Sequence, residues 1–159
     1  MDRDALFARV EHNFANHVVR VSPDPHGMCL YWAAIGLVTL AQEGIDAIMQ
    51  AGTASWPSPE GRIVFPFDEN GPEWTPGVGM TDIHVWLGIP TTREIVDFSI
   101  KALKADVLRR HNMRLELPDY LWFAGRTPYQ YVANQKAIRA AYWMLRNSVR
   151  RLEDMRRQA

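Results

Sequence analysis

Three side chains in this sequence have the types that a nucleophilic cysteine site requires. Cys29 is the only cysteine, and it stands at the start of an apolar segment that the sequence predicts to be a helix. His84 and Asp97 follow in two separate apolar–polar segments, over residues 81–88 and 93–99. A helix N-terminus favours a thiolate, and an imidazole held by a carboxylate can accept the thiol proton. The three residues therefore predict a cysteine nucleophile with its general base.

The segments that carry His84 and Asp97 predict a β-hairpin around the turn at Pro90. A register in which residue 88 faces residue 93 places His84 directly opposite Asp97. Directly opposed residues of an antiparallel pair have Cβ atoms about 4.5–5.5 Å apart, which suits an Asp–His hydrogen bond. We therefore expect Asp97 to fix the tautomer of His84 and to stabilise its cation.

The elements around these residues indicate an α+β fold. Hydrophobic periodicity predicts helices over 3–20, 29–44, 100–111 and 132–157 and strands over 45–54, 62–67, 81–88, 93–99 and 119–123. Clusters of Gly and Pro predict a turn over 56–61 and loops over 22–27 and 68–79. The second helix is apolar almost all round, which is typical of a buried helix, and Gly44 is its expected C-cap. We expect a central buried helix packed on a small antiparallel sheet with flanking helices. The chain reads as one domain over 1–159, with a core at about 22–99 and a C-terminal helical segment at about 100–159.

Four short pieces of the sequence occur in an order that resembles a known family. They are Cys29-Leu30, the Gly-Ile-Asp-Ala passage at 44–47, His84-Val85-Trp86 and Asp97. Together they resemble the transglutaminase-like branch of the papain-like cysteine-protease superfamily, and they look closest to its lasso-peptide leader peptidases. The resemblance covers about residues 27–99. It departs from the family at residue 85, where a small residue is usual, and after residue 97, where no proline follows.

This resemblance implies a papain-like fold and a role for each matching residue. Cys29 would be the nucleophile, His84 the general base and Asp97 the third member of the triad. The reaction would be acyl transfer from a peptide or amide through a thioester, with water or an amine as the acceptor. A hydrolase (a cysteine protease, peptidase or amidase) and an amine acyltransferase both stay open, and neither needs a cofactor or a metal.

Accessory residues of such a site are also suggested by the sequence. An oxyanion hole needs donors aimed at the developing charge, and the backbone N–H of Cys29 is a natural one. His26 and Gln50 are candidates for a second donor. The tryptophans that can line a substrate cleft are Trp56, Trp74 and Trp86, with Trp86 the strongest candidate because it shares a strand face with His84.

Composition narrows the possible partners and location. Eighteen basic residues balance eighteen acidic ones, which argues against a dedicated nucleic-acid binder. The longest apolar run, at 30–41, is too short to span a bilayer, and the charged N-terminus shows no secretory signal. A lone cysteine fits a reducing compartment. We expect a cytoplasmic protein that acts on a peptide or protein substrate, without nucleic-acid or membrane partners.

Two other classes of function fit the same residues. A zinc-binding regulator could use His26, Cys29, His84 and Asp97 as ligands, although structural zinc sites usually contain more thiolates. A non-catalytic interaction module on the same fold would leave the three residues without a chemical role. The reactivity of Cys29 separates these classes from an enzyme.

Overall fold

Helices pack on an antiparallel sheet in the computed structural model, which describes residues 1–18, 28–68 and 83–158, with residues 28 and 148–158 described by their backbone alone. The helices of these ranges are α1 (Arg3–His17), α2 (Met28–Gln42), α3 (Ile100–His111) and α4 (Gln135–Gln158). The strands are β1 (Ile48–Ser58), β2 (Gly61–Phe65), β3 (His84–Ile89), β4 (Glu94–Asp97), β5 (Leu121–Phe123) and β6 (Gln130–Ala133). The sheet order is β2-β1-β3-β4-β5, with β6 also paired to β1. The α+β class is therefore as predicted.

Helix α2 is the buried helix that the sequence predicts, and it packs against α1 and β3. Its apolar residues Leu30 and Leu40 are 4% and 0% exposed. Gly44 adopts a left-handed φ of 74° and ends the helix, as expected of a C-cap glycine. Its N–H donates to Ala41 O at 3.0 Å, and the N–H of Ile45 donates to Leu40 O at 3.0 Å. Helix α2 therefore has a fixed end, and its first turn carries Cys29.

Both faces of β3 are buried, in different clusters. Val85 and Leu87 belong to the main core beneath α1, α2 and α4. His84 and Trp86 alternate to the opposite face, as predicted. On that face the His84 ring meets Trp56, which belongs to a second buried cluster with residues of α3. The alternation of side chains along β3 thus separates two buried clusters.

The β3–β4 hairpin exists, but its predicted register is wrong by two residues. The closing pair is Ile89 with Glu94, and Gly88 faces Ile95 rather than residue 93. Strand β3 runs on to Pro90, which cannot donate to a ladder and so ends it. The turn then takes residues 90–93, with Arg93 at a φ of 57°. A shift of two preserves the face, so His84 and Asp97 still share one side of the sheet, in a diagonal rather than a directly opposed relation.

Several other boundaries differ from those predicted. Strand β1 extends to Ser58, so the predicted turn over 56–61 shrinks to residues 59–60. The missed strand β6 takes residues assigned to the last helix, which begins only after Asn134. The Asn134 Oδ1 accepts the N–H groups of Lys136 and Ala137 and so caps the helix. The predicted loop over 22–27, and all of the predicted loop over 68–79 except Asp68, lie outside the described residues.

Among the described ranges, none of the helices combines the length and apolar character needed to cross a membrane.

Candidate active site

A buried ion pair joins His84 at the start of β3 to Asp97 at the end of β4. The His84 Nε2 lies 2.6 Å from Asp97 Oδ2, and the two side chains are 4% and 1% exposed. An ionised carboxylate only accepts hydrogen bonds, so Nε2–H donates. The diagonal placement works because the imidazole is long enough to reach across to the neighbouring strand.

Asp97 accepts hydrogen bonds on both of its oxygens. Oδ1 accepts the Ser99 N–H at 3.0 Å and the Ser99 hydroxyl at 2.6 Å. Oδ2 accepts His84 Nε2–H and the hydroxyl of Tyr131, the latter at 2.7 Å. Burial raises the pKa of Asp97, but the charge of His84 and these hydrogen bonds outweigh burial and hold the pKa below its usual value. Asp97 is therefore a carboxylate at neutral pH.

His84 is cationic at neutral pH. Burial acts to lower its pKa, but the charge of Asp97, the hydrogen bond to Asp97 and the neighbouring Cys29 outweigh burial and raise the pKa to about 10. A positively charged imidazole is thus present beside a thiol in a water-poor environment.

Cys29 lies in the first turn of α2, half-buried, next to the start of β3. Its Sγ donates to the Ile83 carbonyl oxygen at 3.3 Å, and Cys29 is one of the neighbours that raise the pKa of His84. Since Asp97 occupies Nε2, Nδ1 is the ring nitrogen left for the thiol. Cys29 therefore lies where α2 meets the start of β3, next to the His84–Asp97 pair that joins β3 to β4.

Trp56 and Tyr131 add two hydrogen bonds to those of His84 and Asp97. Trp56 Nε1–H donates to the Tyr131 hydroxyl oxygen at 2.8 Å. Tyr131 stays protonated because burial and the charge of Asp97 raise the pKa of its phenol. Trp56 is 0% exposed and its indole is part of the internal network, and its predicted place in the wall of a substrate cleft stays a prediction.

Within the described residues, the predicted accessory residues Gln50 and Trp86 make none of these hydrogen bonds. Gln50 is half-buried on β1 opposite Trp86, and its contribution to an oxyanion hole stays a prediction. Trp86 is 3% exposed, with its ring packed edge-on against Tyr131, and a role toward substrate likewise stays a prediction. His26 and Trp74 lie outside the described residues.

Ser99 and Tyr131 are site residues that the sequence analysis missed. The Asp97-x-Ser99 spacing is a readable signal, because Asp side chains often bind the backbone N–H two residues later. Tyr131 offers no comparable signal, since it reaches Asp97 through the pairing of β6 with β1.

No group of three or more His, Cys, Asp or Glu residues with metal-binding geometry is found within residues 1–18, 28–68 and 83–158. Asp97, one of the candidate zinc ligands, uses both oxygens for protein donors.

Comparisons with known proteins show the fold alone. No protein-family model and no curated protein matches this chain. A crystal structure described only as that of a genomics target is similar, with a TM-score of 0.54 and 16% sequence identity over 97% of this chain and 72% of that one. At this identity the likeness shows a shared mixed α+β architecture.

Proposed function

We propose that this chain is a transglutaminase-like cysteine enzyme that transfers an acyl group through a thioester on Cys29. The observation that carries the proposal is the buried ion pair of His84 and Asp97, joined at 2.6 Å beside Cys29, the only cysteine of the sequence. A papain-like or transglutaminase-like affiliation is part of the same proposal, and it rests on the sequence pieces around Cys29, residues 44–47, His84 and Asp97.

The chemistry assigns one step to each residue. The Cys29 thiolate attacks the acyl carbon of a peptide or side-chain amide, so that a C–S bond forms and the C–N bond breaks. Imidazolium His84 gives its Nδ1 proton to the departing amine. Neutral His84 then takes a proton from water or from a second amine, whose oxygen or nitrogen attacks the thioester and releases the thiolate. Asp97 keeps the ring oriented throughout.

The solvent exposure of the three side chains agrees with these roles. Cys29 is half-buried, whereas His84 and Asp97 are almost fully enclosed. A substrate must therefore meet the sulfur first, while the ion pair stays in a low-dielectric environment that strengthens its interaction with the developing charge.

A purely structural role explains the buried pair of His84 and Asp97 less well than a catalytic role does. Buried ion pairs contribute little to stability compared with apolar residues of similar volume, because removing two charges from water is costly. The Ile83 carbonyl oxygen accepts from the neutral thiol and would repel a thiolate, and the His84 cation opposes that repulsion. Apolar residues would stabilise the fold at least as well, whereas the charged pair also fits a role beside a reactive sulfur.

Alkylation of Cys29 tests the proposal without knowledge of the substrate. Because the chain has one cysteine, intact-mass kinetics with iodoacetamide report on that residue alone. We expect the native protein to react roughly tenfold or more faster below pH 7 than a His84→Gln variant. His12→Gln, on the exposed side of α1, is the matched histidine control and should react as the native protein does.

Capture of the acyl-enzyme tests turnover directly. Peptides with glutamine side chains and peptides with amide leaving groups are incubated with the protein and hydroxylamine, which converts a thioester into a hydroxamate. The native protein should form hydroxamate from one of the two peptide classes, and Cys29→Ala should form none. Slow alkylation that is insensitive to His84, with no hydroxamate, would favour the interaction-module alternative.

A further inference from the structure

Tyr131 contacts the same carboxylate oxygen that receives the His84 proton donor. Its hydroxyl lies 2.7 Å from Asp97 Oδ2, and His84 Nε2 lies 2.6 Å from that oxygen. Tyr131 lies on β6, beyond residues 27–99, so the family resemblance assigns it no role. Two donors on one oxygen compete for its electron density.

The Tyr131 hydroxyl also accepts a hydrogen bond. Trp56 Nε1–H donates to the Tyr131 oxygen, which polarises the O–H bond and strengthens its donation to Asp97. The rings of Trp56, Tyr131 and His84 pack against one another at centroid distances of 5.0–6.1 Å. The phenol therefore has one hydroxyl direction in which both of its hydrogen bonds are made.

We propose that Tyr131 is a positioning residue. Its hydroxyl, which accepts a hydrogen bond from Trp56, holds Asp97 Oδ2 in place and weakens that oxygen as an acceptor. Asp97 then orients His84 without drawing the Nε2 proton onto the carboxylate. The inference rests on the proposed function of Cys29 and His84 and adds a fourth residue to that site. The hydrogen bonds of the Tyr131 hydroxyl go to Asp97 and Trp56, so it acts through Asp97 and is not a catalytic residue. The hydroxyl's contribution to the lowered pKa of Asp97 agrees with this role.

The test measures the His84 Nε2–H proton by nitrogen-15-edited NMR at neutral pH. In Tyr131→Phe the carboxylate loses one donor and becomes a stronger acceptor, so the Nε2–H resonance should move downfield. The rate of Cys29 alkylation should fall in the same variant, because the carboxylate that orients the ring loses one of the donors that hold it in place.

Tyr120→Phe is the matched control. It also loses a phenol–carboxylate hydrogen bond, to Asp4 at 2.7 Å on the surface, but it leaves Asp97 untouched. Its Nε2–H resonance and its alkylation rate should equal those of the native protein. A Tyr131→Phe protein that is folded and matches Tyr120→Phe in both measurements would overturn the inference.

A second variant covers the case in which Tyr131→Phe does not fold. Trp56→Phe keeps the phenol but removes the donor behind it, and it should move the Nε2–H resonance downfield by a smaller amount. An unmoved resonance there also overturns the inference. A different result would contradict the proposed enzyme function alone. In that case native alkylation is slow and does not depend on His84, although the Nε2–H resonance still responds to Tyr131→Phe.

Discussion

At the scale of single residues, Asp97 is the side chain on which the candidate site depends. It links the imidazole of His84 to the hydroxyls of Ser99 and Tyr131 through both carboxylate oxygens. The charge on this carboxylate makes all of these contacts favourable at once, since every partner is a donor. Replacing it with a group of the same shape but without charge tests that statement.

Asp97→Asn should therefore affect both stability and reactivity. The amide NH₂ must face a donor on one side, and the His84 cation loses its counter-ion in a buried environment. We expect a loss of about 3 kcal/mol in the free energy of unfolding and a fall in the pKa of His84, measured by urea unfolding and by histidine NMR titration. Asp119→Asn, which breaks the more exposed ion pair with Lys104, should change stability by less than about 1 kcal/mol. Equal losses in the two variants would contradict the central role of Asp97.

At the scale of secondary-structure elements, β6 decides whether the network is complete. It pairs with β1 next to the β1–β3 ladder, and Gly52 is the residue of β1 that faces both His84 on β3 and Ala133 on β6. A Cβ at this glycine would overlap the carbonyl oxygen of Val132 and come within 3.0 Å of the Asn134 nitrogen. Only a glycine lets β1 and β6 approach so closely.

Gly52→Ala should accordingly displace β6 and with it Tyr131. We expect a loss of roughly 1–3 kcal/mol in the free energy of unfolding, as for overpacked sites, together with slower Cys29 alkylation. Gly88→Ala on the neighbouring strand is the control, because its Cβ would meet Gln50 at an ordinary 3.5 Å. Thermal melts and alkylation rates of the two variants give the comparison. A Gly52→Ala protein as stable as Gly88→Ala would show that β6 tolerates the added methyl group.

At the scale of the whole molecule, the buried ion pair couples folding stability to pH. A group whose pKa is raised on folding binds more protons in the folded state, so its stabilising effect is lost as pH rises through the folded value. For His84 that loss runs from about 6.5, its ordinary pKa, to about 10. The lowered pKa of Asp97 acts in the opposite sense, and its stabilising effect is lost as pH falls below its ordinary value of 3.8.

The native protein should therefore become less stable between pH 6.5 and pH 10. Urea unfolding at several pH values across that window measures the slope. The slope should be smaller in His84→Gln, which has no titrating ring, and unchanged in the control His12→Gln. A native slope equal to that of His84→Gln would mean that the ion pair does not contribute to the pH dependence.

The sequence by itself determines the α+β class, the buried helix whose first turn carries Cys29 and the common face of His84 and Asp97. These follow from local periodicity, from the capping glycine Gly44 and from side-chain alternation, which a register error of two leaves intact. Tertiary structure alone decides the hairpin register, the burial of Trp56 and the arrival of Tyr131 at Asp97. Those depend on how distant strands pair, because β6 meets β1 about eighty residues further along the chain, and no local pattern of residues encodes such a contact.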